Sequence, residues 1–74
     1  MSVDVVAGAR RAGEWIDVGI RCMDAGDFAG AAAAWEDAAA LMRAIGAERE
    51  GLAGIVASAA LARLMAAAKL QALH

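Results

Sequence analysis

The sequence predicts an all-α protein of three helices, and three observations carry that prediction. The 74-residue chain contains no proline, and alanine, the strongest helix former, recurs along its whole length. Val, Ile and Thr are too few to build a sheet. Glycines at Gly26 and Gly46 divide the chain into three segments of helical length.

The first segment runs from about Asp4 to Met23 or Asp24. Ser2 or Asp4 is placed to accept from the free N–H groups of its first turn. Arg10 and Glu14, and Asp17 and Arg21, stand four apart and would pair on a wet face for a few tenths of a kcal/mol each. Gly8, Gly13 and Gly19 each cost about 1 kcal/mol relative to Ala inside a helix, so glycine there points to close approach of a neighbour. The second segment spans about Phe28 to Ala44. Asp27 occupies its N-cap position, Arg43 suits its negative end, and Gly46 closes it. After the short linker Ala47-Glu48-Arg49-Glu50, the third segment runs from about Glu48 to Leu70 or beyond and folds back beside the second.

The third helix has an unusual pattern. At 100° per residue, Leu52, Ile55, Val56 and Leu70 share one side, and Leu61, Leu64 and Met65 lie roughly opposite. A helix with large apolar groups on both sides is buried all round or shared between two neighbours. A two-helix hairpin covers only one side, so the pattern predicts a homodimer or larger homo-oligomer with this helix at the interface.

Composition leads the same way. A chain this short forms one domain, residues 1–74, near the size at which a single core is marginal. Cys22 is the only cysteine and His74 the only histidine, which excludes an internal disulfide and a cysteine-based zinc site. Association is the remaining support, and 62% hydrophobic residues is more than a small monomer readily hides. The formal net charge of −2 argues against nucleic acid as a partner. Residues 1–50 carry nine acids and five bases, whereas residues 51–74 carry only Arg63 and Lys69. The first ten residues include Asp4 and lack an apolar run of leader length, so the expected location is the cytoplasm. Residues 51–62 are uncharged. That stretch falls short of the roughly twenty apolar residues of a membrane span and has no basic aromatic face; it reads as a packing helix, with no membrane partner.

Gly26-Asp27-Phe28-Ala29-Gly30 invites comparison with a phosphate loop. Such a loop follows a strand and carries Lys and Ser/Thr; here there is none of these, and Asp27 would repel phosphate. A tight corner between helices accounts for the stretch better. Glu36-Asp37 and Glu48-Arg49-Glu50 read as solvated carboxylates without a catalytic companion. Cys22 reads as a small apolar filler, since a nucleophile needs a base or an electropositive pocket. Trp15 and Trp35 read as core. The sequence predicts no catalytic set, no cofactor and no metal site.

Trp15-x-x-Val18-Gly19-x-x-Cys22, then Gly26-Asp27-Phe28, then Ala31-x-x-x-Trp35-x-x-Ala38, resembles a single tetratricopeptide repeat over about residues 12–45. The resemblance implies a helical hairpin in which Gly19, Ala31 and Ala38 are small where helices approach. Trp15, Val18, Cys22, Phe28 and Trp35 would fill the space between. Cys22 stands in place of the usual tyrosine, Trp35 of Phe or Tyr, and Arg43 of a late proline. Thirty-four residues on, Arg49, Leu52, Ala53 and Val56 begin a second copy, but Ala60 and Met65 replace its turn glycine and small alanine. One repeat followed by a helix over 48–73 is the resulting organisation. In this family first helices line a groove for partner segments, which implies a groove at Gly13, Ile16, Ile20, Met23 and Asp24. Because it is apolar, it would suit a helix or hydrophobic segment, or it would pack on a dimer partner or on the chain's own third helix.

The predicted function is non-catalytic: a protein–protein interaction module or small adaptor acting through apolar helix faces. Its candidate contact residues are Ile16, Ile20, Met23, Leu61, Leu64 and Met65. A structural subunit that assembles only with itself is the alternative.

Overall fold

The computed structural model describes residues 4–73, so the expectations for Ser2 and His74 lie outside the described residues. Three helices follow one another: α1 (Val5–Asp24), α2 (Phe28–Ala44) and α3 (Arg49–Ala72). There is no strand among the described residues.

Local chemistry sets the boundaries. Asp4 caps α1, its Oδ1 accepting from the Ala7 N–H at 3.1 Å. Asp27 caps α2 by accepting from the Gly30 N–H at 2.9 Å. Both α1 and α2 end in the same way. Asp27 N–H donates to the Cys22 carbonyl and Gly26 N–H to the Met23 carbonyl; Ala47 N–H donates to the Met42 carbonyl and Gly46 N–H to the Arg43 carbonyl. These paired bonds are Schellman motifs, and they need a left-handed residue just past the helix. Gly26 and Gly46 supply it, with φ of 78° and 71°. Glu48 begins α3 without a side-chain cap.

α1 and α3 each pack along α2 and scarcely meet one another, so α2 is the central helix. Its alanines explain why. Among the described residues the buried hydrophobic ones are Trp35 and eight alanines, five of which (Ala31, Ala32, Ala34, Ala38 and Ala39) lie on α2. Small side chains on two sides of one helix let two neighbours approach it closely. Trp35, only 8% exposed, is the one large buried side chain among the described residues. Its indole lies against Gly19 of α1, where an added Cβ would collide with the ring, and its Nε1 donates to the Ile16 carbonyl at 3.2 Å. Gly19, Ala31 and Ala38 are all buried, as the sequence predicted for close-approach positions.

Other expectations change. Trp15, Val18, Cys22 and Phe28 are half-buried and do not form the centre of the core, because alanine-spaced helices leave too little room between them. Gly8 does mark a close approach, to Ile45, but Gly13 faces open space. Arg10–Glu14 and Asp17–Arg21 do not pair; the salt bridge among the described residues is Arg63–Glu36, between α3 and α2. A fixed pair of long exposed side chains gains little over hydration. α3 is not buried all round: Ala59 and Ala62 are its buried residues, while Val56 and Leu70 are exposed. Ala53, thirty-four residues after buried Gly19, is exposed and receives no helix.

Candidate functional site

The candidate contact residues occupy two surfaces. On α1, Ile16 is half-buried and Ile20 is 47% exposed, whereas Met23 packs against the core formed by Ala31, Ala32, Trp35, Ala59 and Ala62. One end of the predicted groove is therefore used by the protein's own fold, and Ile20 is its exposed member. On α3, Leu61 and Leu64 are 58% and 69% exposed and Met65 is half-buried. Ile55, Ala59 and Ala62 of α3 pack into the core, and at 100° per residue Leu61 and Leu64 fall on the far side of the helix from them.

Two exposed polar contacts accompany the packing of α3 in this orientation, and neither follows from periodicity. The Arg63 guanidinium grips the Glu36 carboxylate of α2 with both donors, Nε to Oε2 at 3.0 Å and Nη2 to Oε1 at 2.5 Å. This hydrogen bonding, reinforced by the opposite charge, holds the Glu36 carboxyl below its ordinary pKa and Arg63 above its own. One turn and a half further on, Lys69 Nζ donates to the Gly26 carbonyl at 2.7 Å and sits 5.6 Å from the centre of the Phe28 ring, within cation–π range. Arg63 and Lys69 are thus directed back onto the fold. Each pairing joins residues far apart in sequence, so only the packing of α3 on α2 reveals it.

Around the second contact is a shallow depression of about 300 Å³, lined chiefly by Phe28, Ala66, Lys69, Leu70 and Leu73 beside the Gly26-Asp27 corner. Its polar groups are engaged: Asp27 Oδ1 caps α2 and the Lys69 ammonium holds the Gly26 carbonyl. A second groove of about 220 Å³ lies between α2 and α3, lined by Glu36, Ala39, Arg43, Val56, Ala59 and Ala60. No group of three or more His, Cys, Asp or Glu side chains is arranged to hold a metal among the described residues.

α3 differs from its sequence reading in one further respect. The uncharged stretch continues helically through Arg63 and Lys69, giving a 24-residue helix long and apolar enough, by length and composition, to cross a membrane. A core helix of that composition would be covered by its neighbours; only a small part of α3 is.

Comparison with protein-family models, curated proteins and solved structures found no match to this chain.

Proposed function

We propose that this protein is a non-catalytic, cytoplasmic helical interaction module, built on a tetratricopeptide-like hairpin, that works by burying the apolar faces of α1 and α3 against other helices. The observation that carries this reading is the exposure of Ile20, Leu61 and Leu64 in a chain whose own core is made almost wholly of alanine. Large side chains lie where they stabilise the protein least and offer a partner most. Association follows as part of the working unit, with α3 as the self-association surface and the side of α1 around exposed Ile20 as the surface for a client helix. The engagement of Arg63 and Lys69 with Glu36 and Gly26 supports a helix docked in a protein over one lying in lipid.

The test replaces Ile20 with Glu. Ile20 is exposed, so helicity and unfolding midpoint should persist while capture of a client from host lysate is lost. Undiminished capture by a folded Ile20→Glu variant would remove α1 as the client surface.

A further inference from the structure

We infer that the partner covering α3 is α3 of a second copy of this chain, laid antiparallel across it; the inference rests on the interaction-module reading and names its partner. Ala53, Ala57, Ala60, Leu64, Ala67 and Gln71 recur in alternating steps of four and three residues, the spacing that aligns one face of a helix with another helix. All six are exposed. They lie opposite the Ile55–Ala59–Ala62 side that packs on α2, so the face is open along its length.

Charge selects among the possible occupants. From Gly51 to Ala72 the only ionised side chains of α3 are Arg63 and Lys69, and these are bound to Glu36 and to the Gly26 carbonyl. A charged partner finds no counter-charge on this face, whereas a second copy brings none that would be buried unpaired. Shape selects the direction. In a parallel pair Leu64 meets Leu64 and the alanine layers meet alanine, so one bulky layer holds the others apart. In an antiparallel pair Leu64 of each copy lies over Ala60 of the other, Ala57 over Ala67 and Ala53 over Gln71. Large then meets small on both sides of the two-fold axis, and Leu61 falls beside its own counterpart. A closed pair of this kind is isologous and does not propagate.

Area sets the strength. Ala53 to Gln71 spans about 27 Å of helix, and a helix face is roughly 10 Å wide. Two such faces bury roughly 500 Å², below the roughly 1,000 Å² of a stable specific interface and in the range of a weak, transient one. The pair is therefore reversible, with a dissociation constant in the micromolar range or weaker.

Sedimentation equilibrium from about ten micromolar to millimolar protein, with circular dichroism as the fold control, tests this on three variants. Ala60→Leu adds apolar surface but fills the space that Leu64 of the other copy needs, so self-association should weaken at least tenfold; tightening would show greasy, unspecific contact and overturn the register. In a Cys22→Ser background, Leu61→Cys should form an interchain disulfide on mild oxidation, and Ala53→Cys should not. Cross-linking through Ala53→Cys would establish a parallel pair, overturning the antiparallel inference while leaving self-association through α3 intact. A folded monomer at every concentration overturns the second copy as partner. If that monomer also binds vesicles of neutral phosphatidylcholine, lipid is the occupant and the interaction-module reading of α3 falls with it.

Discussion

Trp35 and Gly19 form the contact on which α1 depends. The indole fills the space beside the glycine and donates to the Ile16 carbonyl, so its truncation removes both packing and a hydrogen bond. Trp35→Ala should cost about 3–5 kcal/mol, a large share of the 5–15 kcal/mol that holds a typical domain together. Urea unfolding followed by circular dichroism measures it. At Gly19 two effects compete. Alanine improves helix propensity by about 1 kcal/mol, but its Cβ would collide with the buried indole, and overpacking costs typically 1–3 kcal/mol. The ring is closed in by its neighbours and cannot move freely, so Gly19→Ala should destabilise. A higher urea midpoint for that variant would show that the contact is looser than described. Glycine at this position was intelligible in the sequence as a mark of close approach. The hydrogen bond to Ile16 was not, because nothing in local spacing specifies which carbonyl a distant indole will meet.

The helices themselves were legible because their ends are chemically explicit. Asp27 and Gly46 bracket α2 as the sequence predicted, and Asp27→Ala should cost about 1 kcal/mol through loss of the bond to the Gly30 N–H. What the sequence did not convey is how shallow the packing is. The resemblance to a tetratricopeptide hairpin implied that Trp15, Val18, Cys22 and Phe28 fill the space between the helices. The contact was made instead by alanines, whose small size lets the helices close before larger side chains can enter. The ion pair between α2 and α3 has a pH signature. Arg63 depresses the folded-state pKa of Glu36, so the pair's contribution is present above the unfolded carboxylate pKa and disappears as pH falls through the depressed folded value. Glu36→Gln should therefore flatten the acid limb of the stability profile below the unfolded carboxylate pKa. An unchanged limb would mean that the pair contributes nothing to folding in solution.

At the scale of the whole molecule, α1 and α3 are arranged on either side of α2, and the outer face of α3 is left uncovered. The sequence anticipated a helix apolar on both sides and drew from it a dimer. The structure supplies the direction of each side: Ala59 and Ala62 inward, Leu61 and Leu64 outward. Which α1 residues stay available was less legible, because Met23 is recruited to the core by a neighbour from another part of the chain, a contact that no local pattern records. The central claim is that this outer face of α3 closes on another copy. Static light scattering across a concentration series measures it most directly, comparing the native chain with Leu64→Glu. The native mass should rise from one chain toward two as concentration increases through the micromolar range, and the variant, equally helical, should stay at one. A native mass of a single chain up to millimolar protein, with cooperative unfolding intact, would contradict the account.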